Sequence, residues 1–182
     1  NLSTMVKDIL FGEKYERTNM TVKNSVEELT SVRIKNKNIW DQVKQTDPRF
    51  TKKVDFGRGF TSIDPMYQIG KMTEIFGPVG QGWGYVVNYH YTDKYISAEV
   101  SVWTEDRKNF FGPVCSLMPL QNSKGKFDDE AGKKVMTDAL TKAFSHLGMS
   151  ADVFLGLFDS SKYVEQVKKD LGIDQDKVTK IS

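Results

Sequence analysis

From Trp83 to Met118 the apolar pattern repeats every two residues, and this change of period restricts the chain to folds built around an antiparallel sheet. Tyr85, Val87, Tyr89 and Tyr91 alternate with Val86, Asn88 and His90. After a polar turn at 92–94, Ile96, Ala98, Val100 and Val102 alternate with Ser97, Glu99, Ser101 and Trp103. Such alternation sends successive side chains to opposite faces, and a short turn can join only antiparallel neighbours. A second polar turn, at 105–109, leads into Phe110 to Met118, where Gly112 and Pro113 predict a bulge or an edge position. The expectation is a meander of three strands, or slightly more, with one face in need of cover.

The stretch that follows supplies the cover. Between Phe127 and Phe158 apolar residues fall at Ala131, Val135, Ala139, Ala143 and Leu147, with Met136, Leu140 and Phe144 beside them. Spacings of three and four put these on one helical face. Asp128 is the expected N-cap, with Asp129 and Glu130 at the positive end of the helix dipole, and Gly148 the expected stop. A shorter apolar helix follows over 151–158. The fold class expected is therefore α+β, a β-β-β-α core in which the meander packs on a long helix. The helix's other face carries Lys133, Lys134, Asp138, Thr141, Lys142, Ser145 and His146, which by itself reads as a solvated surface.

Ahead of the sheet, Asp64, Pro65 and the Gly77–Pro78 pair delimit a helix in the expected asymmetric way. Met66, Ile69, Met72, Thr73 and Phe76 form its stripe. Residues 1–24 read as a polar arm with one apolar cluster from Met5 to Phe11. A capped helix is expected from Ser25, carrying Val26, Leu29 and Val32, and another from Ile39 to Val43. Between them and the Asp64 helix lies the densest basic segment: Arg49, Lys52, Lys53 and Arg58 interleaved with Phe50, Phe56 and Phe60. That composition suits either a basic loop over a hydrophobic edge or a single-strand groove. At the far end, residues 159–172 form one more amphipathic helix, stopped by Gly172.

Several function classes fall away. With 26 basic and 24 acidic residues the net charge is only +2, so a polyanion site has to be assembled locally. One cysteine, Cys115, excludes an internal disulfide framework and a multi-cysteine zinc site. The glycine-rich run at 77–84 lacks the Lys-Ser/Thr of a phosphate loop and does not lead from strand to helix. His90 and His146 carry no attached nucleophile or carboxylate motif. No catalytic group, metal or cofactor is expected, hence no enzyme. No run reaches the roughly 18 to 20 apolar residues of a membrane span, and residues 1–10 lack the order of a signal peptide. A soluble, cytoplasmic protein without membrane partners is expected.

Two stretches carry a resemblance. Glu74, Phe76, Gly77, Gly82 and Trp83 match a helix ending Glu-x-Phe-Gly followed by Gly-Trp, and Val135 to Phe144 with Leu147 and Gly148 match Ala-Val-Thr-Asp-Gly-Leu-Lys-Arg-Ala-Leu followed by Phe-Gly. Together with the Asp-Ser-Ser-Lys-Tyr run at 159–163, they resemble the single-strand annealing proteins, a superfamily that includes the Rad-type annealing protein of eukaryotic double-strand break repair and the Sak-like phage recombinases. The likeness spans about residues 50–165. The Thr46 to Lys53 opening looks most like phage members, which would place the protein in a bacterial host's cytoplasm.

The resemblance implies a single annealing and oligomerisation domain over 1–182: an arm and helices at 1–48, an annealing core at 49–165 and an extension at 166–182. It implies a ring-forming homo-oligomer, or a helical filament, that binds single-stranded DNA and anneals complementary strands through a duplex intermediate without ATP, in homologous recombination and repair. The alternatives are a module that coats single strands without annealing them and a metal-dependent nuclease. Of the basic residues that the family's long helix presents to the DNA backbone only Lys142 has a counterpart, since Thr141 and Ser145 replace the others. Lys52, Lys53, Arg58, Lys133 and Lys134 are expected to complete the groove with Lys142. Lys133 and Lys134 point about 100° apart on a helix, so at most one of them, Lys134, is expected to face the same groove as Lys142.

Overall fold

The computed structural model describes residues 2–55, 57, 59–122 and 124–173, with side chains from Met20 onward. It forms two compact units, residues 1–39 and residues 40–182. The first unit is helical throughout. Helix α1 (Leu2–Val43) runs without a break where the sequence predicts an arm and two short helices. No proline falls within it, and Ser25, the expected cap, instead donates its hydroxyl to the Thr21 carbonyl one turn back. Thr30 does the same to Val26. Met20, Val22, Val26, Leu29, Val32 and Ile34 are all exposed along it, so between Met20 and Ile34 it buries no apolar face. The cluster from Met5 to Phe11 lies outside the described side chains.

The second unit is α+β. Strands β1 (Thr51–Val54) and β2 (Phe60–Ile63) pair in a small antiparallel hairpin. Helix α2 (Pro65–Phe76) begins as expected, its Asp64 side chain accepting a hydrogen bond from the Met66 N–H at 2.8 Å. It ends at Gly77, whose φ of 96° only glycine adopts without strain. A side chain at Gly82 would overlap the Phe76 carbonyl, so the chain reverses from helix into strand through two glycines. The stripe is rotated from the expected one. Gln68 and Met72 are buried, whereas Met66 and Thr73 are exposed.

Strands β3 (Trp83–Tyr91), β4 (Tyr95–Thr104) and β5 (Asn109–Pro119) form the predicted antiparallel meander in the order β3-β4-β5. Its register slips between Val100 and Val102, opposite Gly112 and Pro113, where a bulge was expected. Helix α3 (Ala131–Ser145) lies on β4 and β5. Ala131, Val135, Ala139, Ala143 and Phe144 are buried with Ile96, Ala98, Val100 and Val102, the two faces named by their periods of 3.6 and two. Phe144 meets Trp83 edge to face at 5.5 Å. The helix starts later than expected. Glu130 holds the N-cap position, while the Asp128 carboxylate accepts from the Glu130 N–H at 3.1 Å.

Gly148 then turns the chain with φ of 92°, and a Cβ there would strike the Trp40 indole. Short helix α4 (Ala151–Phe154) and helix α5 (Ser161–Asp170) complete the unit. One carboxylate joins these distant segments. Asp152, buried, accepts from the Thr46 N–H at 2.8 Å, the Thr46 hydroxyl at 2.6 Å and the Tyr163 hydroxyl at 3.1 Å. Burial, and then the Asp152 carboxylate, push the Tyr163 pKa up to about 12.

Candidate nucleic-acid interface

The polar face of α3 is closed against β2 and α4 to form an open groove of about 690 Å³. Lys133, Lys134, Thr137, Asp138, Thr141 and Lys142 line it from the helix. These six positions form two rows spaced by four, 133-137-141 and 134-138-142, so the groove spans more than 100° of the helix surface. Both Lys133 and Lys134 therefore share the groove with Lys142, where the sequence predicts only Lys134. Phe60 to Ile63 and Pro65 line the groove from β2 and the start of α2, and Val153, Phe154, Phe158 and Asp159 line it from α4 and the turn that follows.

Of the six basic residues singled out from sequence, the groove brings together three. Lys52 and Lys53 are exposed on β1 and pair in register with Ser62 and Thr61 of β2. They stand one strand away from the groove and, as adjacent strand residues, point to opposite faces of the hairpin. Arg58 lies outside the described residues.

Each groove lysine has a carboxylate within reach. Lys133 approaches Glu130 at 3.4 Å, Lys134 meets Asp128 at 2.8 Å and Glu130 at 3.7 Å, and Lys142 meets Asp138 at 2.6 Å. The hydrogen bond with Asp128 raises the Lys134 pKa and lowers that of Asp128. The Ser116 hydroxyl of β5 donates to Asp138 at 2.6 Å and accepts from Lys142 at 3.1 Å, which fixes the Lys142 ammonium over the sheet edge. The Lys133–Glu130 and Lys142–Asp138 pairs are open to solvent, and such pairs contribute about 0–1 kcal/mol, whereas the Asp128 carboxylate beside Lys134 is only 21% exposed. At the two open pairs a phosphate can therefore replace the carboxylate without a large penalty.

Sequence reasoning singled out Phe60 with the basic segment but missed Phe154 as an apolar part of the groove. Phe60 and Phe154 both line it and are 58% and 51% exposed. Phe154 belongs to the stretch assigned to an apolar helix, and its solvent exposure leaves no trace in a four-residue segment.

Among the described residues no group of three or more His, Cys, Asp and Glu is placed to hold a metal ion. His90 sits 3.4 Å from Glu99 on the sheet face away from α3, and Cys115 is exposed. No described helix is long and apolar enough to cross a membrane. The chain matches no protein-family model, and no curated protein matches it with significance.

Proposed function

We propose that the chain binds single-stranded DNA along the groove between α3 and β2 and anneals complementary strands without ATP, as in homologous recombination and DNA repair. The observation that carries this reading is the convergence of Lys133, Lys134 and Lys142 on one open groove beside a hairpin that bears Lys52 and Lys53. A protein with net charge +2 has to concentrate its cations locally to hold a polyanion, and this is where several of them meet. The motif likeness at Glu74 to Trp83 and Val135 to Gly148 supports the same reading, because both motifs serve the core that positions the groove: Gly77, Gly82 and Trp83 set α2 against β3, and Phe144 packs on Trp83.

The proposal includes self-association into a ring or filament. The order β3-β4-β5 leaves β5, and β3 beyond the single bridge from Val79 to Trp83, without a partner strand on one side among the described residues, and free edges of this length invite pairing with another chain. A mass equal to one chain in light scattering, with and without DNA, would remove the oligomer.

The test of function is a fluorescence-quenching assay with complementary strands. Pairing faster with protein than without is the expected result. Slower pairing would replace annealing by a strand-coating role, and cleavage in magnesium would replace both by a nuclease.

A further inference from the structure

We infer that the groove holds bases as well as phosphates, with Phe60 and Phe154 as stacking surfaces; this rests on the single-strand reading above. Contact with phosphates alone calls for cations and hydroxyls, and those are present in Lys133, Lys134, Lys142, Thr61, Thr137 and Thr141. It does not account for the remaining lining. Phe60, Ile63, Pro65, Val153, Phe154 and Phe158 give the same groove an apolar wall. Phe158 is buried and belongs to the core, whereas Phe60 and Phe154 leave more than half of their surface open.

Exposed aromatic rings in one groove with a lysine-bearing helix are the two components of single-strand recognition: cations follow the backbone while rings accept the faces of successive bases, whatever their sequence. The lining sets three lysines against the carboxylates of Asp138 and Asp159, so a polyanion is held by exchanging places with the lysines' carboxylate partners, and the rings select one whose bases are unpaired. A duplex keeps its base faces stacked inside and cannot present them to Phe60 or Phe154. The groove thus distinguishes single from double strands by its apolar wall, while its lysines serve both. A strand held this way has a few bases turned in at each subunit and the rest exposed for pairing, and the duplex leaves the rings once those bases find their partners.

Binding of oligo-dT and of an abasic strand of equal length, each followed across a salt titration, tests this with the unmodified protein and with Phe60→Ala, Phe154→Ala and Phe154→Tyr. The unmodified protein is expected to bind oligo-dT about tenfold or more tighter than the abasic strand. Phe154→Ala and Phe60→Ala are expected to lose most of that difference with an unchanged salt slope, and Phe154→Tyr to retain it. Equal affinity for the two strands, or an equal loss on both in the alanine variants, overturns the stacking while leaving a phosphate-binding groove. If neither strand binds, or if Lys142→Ala leaves the salt slope unchanged, the single-strand reading itself fails.

Discussion

Replacing Asp138 by Asn should strengthen binding of single-stranded DNA. Its carboxylate lies in the groove, 2.6 Å from the Lys142 ammonium and 2.6 Å from the Ser116 hydroxyl. The Asp138 and Lys142 side chains are 39% and 48% exposed, so screening by bulk water gives the lower bound on their interactions. A carboxylate about 5 Å from a bound phosphate then opposes it by roughly 0.8 kcal/mol. Removing it also frees Lys142 to meet the phosphate as an uncompensated cation. The two effects together predict a gain of about 1 kcal/mol, near fivefold in affinity at low salt, and a salt dependence steeper by roughly 0.7. Stability should change by less than about 1 kcal/mol, because the asparagine carbonyl still accepts from Ser116 and the lost ion pair is a surface pair. Fluorescence anisotropy across a salt titration, with a thermal melt as control, reads both quantities. Unchanged or weaker binding by a folded Asp138→Asn variant would show that Lys142 does not meet phosphate.

Phe144→Ala should cost about 3–5 kcal/mol in chemical denaturation, since the ring is fully buried against Trp83; a loss below about 1 kcal/mol would mean this contact is not part of the core. Gly148→Ala should destabilise by about 1–3 kcal/mol through its positive φ alone, and by more if the Trp40 indole cannot move; a neutral result in a thermal melt would refute the close packing. Tyr163 has a folded pKa of about 12 against an ordinary value of 10.0, so above pH 10 the folded state keeps a proton that the unfolded state loses. Its contribution is therefore complete below about pH 10 and is lost as the pH rises toward 12. Tyr163→Phe should lack that decline, and parallel stability curves for the two proteins across this range would refute it.

The meander and α3 were legible because each buries one face, and a buried face writes its period into the sequence. Ile96 to Val102 and Ala131 to Phe144 did so, and the Gly112–Pro113 interruption marked the register slip. Helix α1 was not legible for the converse reason: from Met20 to Ile34 its apolar residues are exposed, so no stripe distinguishes it from an arm with short helices. The β1–β2 hairpin does have a sequence signal: two four-residue runs flank a loop containing Gly57 and Gly59, a spacing typical of longer hairpin turns, though the adjacent lysines of the first run give it no apolar alternation. The carboxylate partners were likewise within reach. Glu130 with Lys133 and Asp138 with Lys142 stand three and four apart, neighbours on any helix, and counting them shows a polar face in which each cation is already compensated.

The Asp152 knot gives the groove a reporter outside itself. Val153 and Phe154 line the groove, and the residue just before them anchors the Thr46 amide and the Tyr163 hydroxyl. The Thr46 N–H exchanges with solvent only when it leaves Asp152, so its exchange rate measures how often this corner opens. A ligand that holds Val153 and Phe154 in place lowers the population of the open form, and slows deuterium uptake at Thr46, a residue that does not line the groove. Deuterium uptake over residues 44–47 thus becomes a measure of occupancy that needs no label on the ligand and no assumption about its chemistry.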